Sequence, residues 1–169
     1  MKFLTKIAIA AIVFLGSPGL AVADDDIKSI SGYGCFSQSG KFAADFWYGG
    51  AAIINNSNQT RNVVCSIFRD LFSDAAAGAD IDRIRVYFNR PAGPNNIVCQ
   101  AIVRNLVTGA IFDSDVQGSS AVGDGTLTHV NLDYNTDTDV IYLFCQLPGK
   151  ARIKGLKWEE DVNPPNQTT

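Results

Sequence analysis

The sequence has few of the residues on which most enzymes and metal sites rely. It contains one histidine, His129, and its four cysteines form neither a Cys-x-x-Cys pair nor a Cys/His spacing. Redox and zinc chemistry therefore lack the ligand pattern that they require. Because there is no Gly-x-Ser-x-Gly elbow, a Ser-His-Asp hydrolase would have to be built on His129 without its usual motif. We interpret His129 as a strand histidine on a polar face.

Clusters of positive charge are also missing. The first 23 residues contain two of the 14 basic residues and none of the 17 acidic ones, so the remainder has 12 basic and 17 acidic side chains. An acidic chain without a run of lysine or arginine argues against nucleic acid and anionic membrane surfaces as partners. No stretch after residue 23 is apolar for the roughly 18 residues that a membrane-spanning helix needs.

The N-terminal 23 residues have the three regions of a secretory signal peptide. Lys2 and Lys6 form a basic start, residues 7–15 are an unbroken apolar run, and Ala21-Val22-Ala23 is a small-x-small cleavage site. We predict a secreted or periplasmic protein that is cleaved after residue 23. Removal of 23 of the 169 residues leaves 146, enough for one domain with a substantial core.

The rest of the sequence is typical of short strands separated by turns. In one such segment, Ile84, Val86 and Phe88 alternate with polar residues, which places them on one face of a strand. There is no amphipathic helix and no internal repeat. Eight to ten such segments predict an all-β fold, an antiparallel, jelly-roll-like β-sandwich over residues 24–161, followed by a flexible tail at residues 162–169.

Residues 140–147 are the most hydrophobic segment of this domain. Gln146 is their one polar interruption, an acidic turn precedes them, and Pro148-Gly149 ends them. A short apolar run between turn signals predicts a strand buried on both faces. We therefore place it at the centre of the sandwich, with Ile141, Leu143, Cys145 and Leu147 on one face and Val140, Tyr142 and Phe144 on the other.

The four cysteines of an exported protein are expected to form disulfides. Cys65, Cys99 and Cys145 each lie within a predicted strand, whereas Cys35 lies in a loop-like segment. The sequence allows three pairings of four cysteines. We favour Cys35–Cys65 and Cys99–Cys145, because Cys65 is the nearest strand cysteine to Cys35.

The order of these segments resembles a known group of proteins. Cys35 is followed by Asn-Val-Val-Cys-Ser-Ile-Phe-Arg-Asp at residues 62–70, by a strand with Cys99, and by Tyr-Leu-Phe-Cys-Gln-Leu-Pro-Gly at residues 142–149 before a closing strand. This order is similar to that of a loose group of small secreted bacterial proteins, β-rich and four-cysteine, mostly without assigned function. The resemblance implies a sandwich and a bacterial source, and it supplies no active site.

An acidic turn before the central strand predicts a weak calcium site. Oxygen-bearing side chains occupy alternate positions, as at the start of a calcium loop: Asp133, Asn135, Asp137 and Asp139. The turn departs from the EF-hand pattern at Thr138, where glycine is expected, and at Phe144, where the closing glutamate is expected. The alternative is an ordinary Asx-rich turn without a metal. No other cofactor is expected.

Paired carboxylates make a hydrolytic enzyme an alternative interpretation of the sequence. Asp113 and Asp115 share a face of one strand, about 7 Å apart, and Glu159-Glu160-Asp161 ends the last strand. A glycosidase needs two carboxylates across a cleft, one of them with a raised pKa. A small secreted hydrolase is therefore the alternative function, and a solvated acidic face is the simpler interpretation.

Aromatic residues near the two ends of the domain lead to the main functional hypothesis. If exposed, they would form a stacking platform for sugars, and if buried they are core residues: Tyr33, Trp47, Tyr48 and Trp158. No catalytic residue is assigned. The sequence therefore favours a secreted, non-enzymatic module that binds a glycan, a cell-envelope surface or a protein, or that associates with itself.

Overall fold

The computed structural model describes residues 26–67, 81–132 and 139–160. These residues form an all-β structure, and both sheets are antiparallel. The predicted β-sandwich is confirmed. The predicted leader and tail, residues 1–23 and 162–169, lie outside the described residues.

The described residues contain eleven strands. In chain order they are β1 (Asp26–Ser31), β2 (Cys35–Ser37), β3 (Phe46–Gly49), β4 (Ala52–Asn55), β5 (Arg61–Ile67), β6 (Ile81–Arg90), β7 (Ile97–Asn105), β8 (Ile111–Ser119), β9 (Gly123–Leu132), β10 (Asp139–Leu147) and β11 (Arg152–Glu160). Two 3₁₀-helices, Gly32–Gly34 and Gly40–Asp45, flank β2. Within the described ranges, no helix has the length and apolar character needed to cross a membrane.

The strands divide into two sheets. The six-stranded sheet has the order β3-β4-β11-β6-β9, and β1 pairs with β11 on the side where β4 also pairs. The five-stranded sheet has the order β2-β5-β10-β7-β8. Large aliphatic and aromatic side chains of both sheets, such as Phe88, Ile153, Leu143 and Leu147, meet in one buried core.

The predicted central strand is β10, which lies in the middle of the five-stranded sheet. Its inward residues, Ile141, Leu143, Cys145 and Leu147, are buried as predicted. The outward residues Val140, Tyr142 and Phe144 are half-buried, so the prediction of complete burial on both faces is wrong. On that face Phe144 lies opposite Val64 of β5 and Gln100 of β7, and such lateral neighbours cover a side chain only in part.

Both predicted disulfides are confirmed. Cys35–Cys65 joins β2 to β5, and Cys99–Cys145 joins β7 to β10, each between directly opposed residues. Both bridges therefore stabilise the five-stranded sheet and do not link the two sheets. They close loops with sequence separations of 30 and 46 residues. In the loop-entropy model each contributes about 3.5–4 kcal/mol.

A buried amide connects the two sheets near the end of β4. The Nδ2 atom of Asn55 donates hydrogen bonds to the carbonyl oxygens of Leu147, at 2.8 Å, and Pro148, at 3.1 Å, where β10 ends. It also donates to the carbonyl oxygen of Gln59 at 2.7 Å. The amide has two hydrogens for these three acceptors, and since Asn55 is fully buried, its bonds replace the contacts with water that folding removes.

Candidate functional site

A tight hairpin between β3 and β4 positions the aromatic residues that the sequence singled out. Its two turn residues, Gly50 and Ala51, have φ angles of 59° and 62°. Two consecutive left-handed residues define a type I′ turn, which matches the twist of the flanking strands. Glycine adopts this conformation freely, whereas Ala51 does so at a cost of about 1–2 kcal/mol. The turn fixes the end of β3, where Trp47 and Tyr48 lie.

The first 3₁₀-helix packs directly on this turn. The backbone N–H of Gly32 donates to the carbonyl oxygen of Ala51 at 2.8 Å, and the N–H of Ala51 donates to the hydroxyl oxygen of Tyr33 at 3.3 Å. A Cβ atom on Gly32 would lie 2.3 Å from the carbonyl oxygen of Ile153, so only glycine allows this close approach. Tyr33 is therefore held against the hairpin by both backbone contact and hydrogen bonding.

Tyr33 and Tyr48 form a surface ring pair. Their centroids are 6.2 Å apart and their planes are tilted by 37°. The two side chains remain 52% and 42% exposed. Because the turn and the 3₁₀-helix hold both rings in place, their exposed faces are available to a ligand with little further ordering.

Trp47 lies on the other side of β3. It is 61% exposed, and its ring extends over Gly49, where an added Cβ would lie only 2.6 Å from Cη2 of the indole. Its place in the register, opposite Ile54 of β4, puts it on the outer face of the six-stranded sheet. We call Tyr33, Trp47 and Tyr48 the aromatic edge, since β3 is an edge strand.

Trp158 does not join these residues, which corrects the sequence-based expectation. It is 4% exposed and belongs to the buried core. On β11 it has the same parity as the inward-facing Leu156, and it lies opposite Ile84 of β6, also an inward residue. Strand alternation therefore turns the Trp158 side chain away from the surface.

An exposed apolar feature that sequence reasoning missed lies on the outer face of the five-stranded sheet. One register row crosses all five strands and consists of Phe36, Val64, Phe144, Gln100 and Val116. Phe36 and Val116, at its two ends, are exposed, and the three residues between them are half-buried. We call its four apolar members, Phe36, Val64, Phe144 and Val116, the apolar row, which Gln100 interrupts between Phe144 and Val116. Its members are scattered along the chain, so only the strand order brings them together.

The carboxylates of the enzyme hypothesis make structural contacts. Asp113 and Asp115 share the inward side of β8, an edge strand, as their spacing predicted. Oδ2 of Asp115 lies 3.0 Å from Nδ1 of His129, and the Nε2 amide group of Gln117 donates to both Asp115 oxygens. These contacts orient the Asp115 carboxylate towards a buried side chain, which is a structural role.

The acids at the end of β11 are likewise engaged. Glu159 accepts hydrogen bonds from Arg83, at 3.2 Å, and from Arg85. The side chain of Glu160 and the whole of Asp161 lie outside the described residues. Glu159 is therefore the described member of this acidic run, and two guanidinium groups neutralise it.

His129 is fully buried, so the interpretation of a polar-face histidine is wrong. It points inward from β9, and burial lowers its pKa below the ordinary 6.5 even though the neighbouring Asp115 acts to raise it. Its Nε2 atom has no hydrogen-bond partner among the described residues. No described hydroxyl group is therefore in place for His129 to activate as a nucleophile.

The predicted calcium turn falls mostly outside the described residues, which include only Asp139 of its four ligands; Asp133, Asn135 and Asp137 are not among them. Asp139 is buried, and its Oδ1 atom accepts a hydrogen bond from Nδ2 of Asn105 at 2.8 Å. In the part of the chain that the structure describes, no three His, Cys, Asp or Glu side chains group as metal ligands. Calcium binding stays a prediction.

No family model matches the sequence, and no curated protein matches it. Among solved structures, the chain is similar to a carbohydrate-binding module from glycoside hydrolase family 9 (Cel9A) of Ruminococcus flavefaciens FD-1. The two share 12% identity at a TM-score of 0.45, over 82% of this chain and 99% of that one.

Two further solved structures show a weaker likeness. A GH26-CBM35 β-(1,4)-mannanase of Podospora anserina has 9% identity and a TM-score of 0.43, over 84% of this chain and 29% of its own. The family 11 carbohydrate-binding module of Clostridium thermocellum, in complex with a β-1,3-1,4-mixed-linked tetrasaccharide, has 10% identity and a TM-score of 0.39, over 78% and 87%.

Proposed function

We propose that the protein is an exported bacterial, non-enzymatic binding module that holds a glycan against its aromatic edge. The observation that carries the proposal is the exposure of three aromatic rings beside one tight turn, with Tyr33 and Tyr48 on one side of β3 and Trp47 on the other. Rings with an apolar face and a polar rim suit sugars, which have the same mixed character. A glycan is therefore the partner that this chemistry favours.

Rigidity supports binding at this position. A ligand that meets mobile side chains must order them, at about 0.5–1.5 kcal/mol for each flexible side chain. Here the hydroxyl of Tyr33 is hydrogen-bonded to Ala51, and the ring of Trp47 lies along the backbone at Gly49. Much of that ordering cost is therefore met when the protein folds.

The contacts of the acidic residues support a module without catalysis. A glycosidase requires two carboxylates that face each other across an accessible cleft. Instead, Asp115 bonds to buried His129, and Glu159 is paired with two arginines. A structural role for these acids explains their positions without a reaction.

A second candidate function is association with a protein or with another copy of the chain through the apolar row. Its support is the exposure of Phe36 and Val116 at the ends of a row that also contains Val64 and Phe144. Exposed apolar side chains grouped on one face of a sheet are typical of interaction surfaces. This alternative predicts that the partner covers the five-stranded sheet and leaves the aromatic edge free.

Retention of the purified protein on insoluble glycans and on envelope fractions of its host tests the two candidates together. The Trp47→Ala variant is expected to lose about tenfold in affinity, as for a well-placed aromatic contact. The matched control is Phe36→Ala, an exposed aromatic residue of the other sheet. If Phe36→Ala abolishes retention and Trp47→Ala does not, the second candidate replaces the first.

A further inference from the structure

The outer face of the six-stranded sheet carries an excess of positive charge that the composition does not reveal. Side chains of β6 and β11 that point outward include five cations: Arg83, Arg85, Arg152, Lys154 and Lys157. The described carboxylates on this face are Glu159 and Asp124. The whole chain, in contrast, has a formal net charge of −3. The fold therefore concentrates cations on one face of an acidic protein.

The carboxylates on this face leave part of the positive charge uncompensated. Glu159 serves both Arg83 and Arg85, and Asp124 pairs with Lys154 at 3.0 Å. Among the described residues, neither Arg152 nor Lys157 forms a salt bridge, although the charge of Arg152 helps to lower the pKa of the Asp124 carboxyl group. These two positions are therefore available to an anionic group from outside.

One pair of cations is placed unfavourably for the isolated protein. Lys157 of β11 lies directly opposite Arg85 of β6 in the register. Like charges on directly opposed strand residues destabilise a sheet. An anion bound over the pair would relieve this repulsion, so the arrangement suits a surface that is covered by an acidic ligand.

The same face includes Trp47 of the aromatic edge. Trp47, Ile54, Arg152 and Asn89 occupy one register row across β3, β4, β11 and β6. Arg152 lies two strands from Trp47, which corresponds to about 10 Å at the ordinary strand spacing. A short oligosaccharide stacked on Trp47 could thus place an acidic substituent at Arg152.

We propose that this outer face binds an anionic polysaccharide, with Trp47 stacked on a sugar ring and Arg152 and Lys157 paired with its carboxylate or sulfate groups. The proposal rests on the proposed glycan-binding function and specifies the chemical class of the glycan. Arginine suits both acidic groups because its planar guanidinium can donate two parallel hydrogen bonds. The acidic remainder of the surface would repel the same polymer and orient it on this face.

The test measures affinity for polygalacturonate, for heparin and for neutral mannan. The variant Arg152→Gln/Lys157→Gln removes two charges from the face, and the matched control Lys41→Gln/Arg104→Gln removes two charges elsewhere. We expect one of the anionic polymers to bind at least about tenfold more tightly than mannan. The first variant should lose about three- to tenfold of that affinity, as expected for two exposed charge contacts, and the control should retain it.

Salt adds a second readout. Raising NaCl from about 50 to about 500 mM should weaken binding of the anionic polymer, because salt screens exposed charges, and should leave binding of a neutral glycan unchanged. An anionic polymer bound equally by the wild type and by Arg152→Gln/Lys157→Gln overturns the inference. Binding of duplex DNA as tight as that of either acidic polysaccharide also overturns it, since the face would then select charge alone.

The possible results distinguish the inference of an anionic polysaccharide from the proposed glycan-binding function on which it rests. If mannan binds as tightly as the acidic polymers, and Trp47→Ala abolishes that binding, the inference fails and the glycan-binding function stands. If none of the three polysaccharides is retained and envelope fractions are not retained either, both proposals fail.

Discussion

The backbone N–H of Ala51 donates a hydrogen bond to the hydroxyl oxygen of Tyr33, with 3.3 Å between nitrogen and oxygen. This bond joins the 3₁₀-helix that carries Tyr33 to the turn that positions Tyr48. We expect Tyr33→Phe to change the free energy of unfolding by less than about 1 kcal/mol, because water can replace the lost acceptor at this exposed site. Glycan affinity should nevertheless fall, since the ring is no longer fixed.

Denaturant unfolding and glycan retention of Tyr33→Phe measure the two effects separately. Ala51→Gly is the complementary variant: it relieves the left-handed strain at residue 51 and should stabilise the protein by roughly 0.5–1 kcal/mol. A Tyr33→Phe protein with unchanged affinity would show that the hydrogen bond has no part in organising the site.

The amide of Asn55 predicts a larger effect on stability. Asn55→Ala leaves the buried carbonyl groups of Leu147 and Pro148 without their donor, and an unsatisfied buried polar group costs about 1–3 kcal/mol. We expect a loss of about 2–4 kcal/mol in a urea titration. Asn95→Ala, at an exposed asparagine, is the control and should change stability by under about 0.5 kcal/mol. Equal losses in the two variants would contradict this role for Asn55.

His129 predicts how stability depends on pH. Because burial holds its folded-state pKa below 6.5, the unfolded chain takes up a proton at a higher pH than the folded protein does. Stability should therefore fall as pH drops below 6.5 and level off once the folded-state pKa is passed. Above that window, His129 is neutral in both states and contributes no slope.

The comparison of wild type with His129→Gln isolates this contribution. Unfolding free energies measured between pH 5 and 8 should show a smaller decrease at low pH in the variant. Stability that increases as the wild type is acidified through pH 6.5 would mean that Asp115 outweighs burial and raises the pKa of His129.

Leu143 tests the placement of β10 at the centre of its sheet. The side chain is fully buried between the two sheets, so Leu143→Ala is expected to cost about 2–5 kcal/mol. Leu106→Ala, at an exposed leucine in the turn after β7, should cost far less. Similar unfolding midpoints for the two variants would place Leu143 outside the core.

The sequence predicted the fold because local patterns determine most of a sandwich. Alternation along strands such as β6 indicates which residues point inward, and the apolar run of β10 indicates a central strand. The pairing Cys35–Cys65 followed from the separation of the cysteines along the chain. These signals are local, so they do not depend on which strands become neighbours.

The strand order is where sequence reasoning failed. The sequence leaves open whether Trp158 belongs to a surface platform or to the core, because alternation along β11 does not show which face points inward until the partner strand β6 is known. His129 was expected on a polar face for the same reason, because Thr128 and Val130 are the outward residues of β9. The cations on the outer face of the six-stranded sheet and the apolar row each come from strands that are far apart in sequence, so only the folded sheets bring their members together.

The two tryptophans allow the most direct test of glycan stacking at the aromatic edge. Trp47 is exposed and Trp158 is buried, so the indole N–H signals of the two residues can be assigned by comparison with Trp47→Phe and followed during titration with a soluble oligosaccharide of a retained glycan. We predict that the chemical shift of the Trp47 indole N–H changes as ligand is added and levels off when the protein is saturated. The chemical shift of the Trp158 indole N–H should not change. Binding that saturates while the Trp47 signal does not move would contradict the proposal that the glycan lies on this edge.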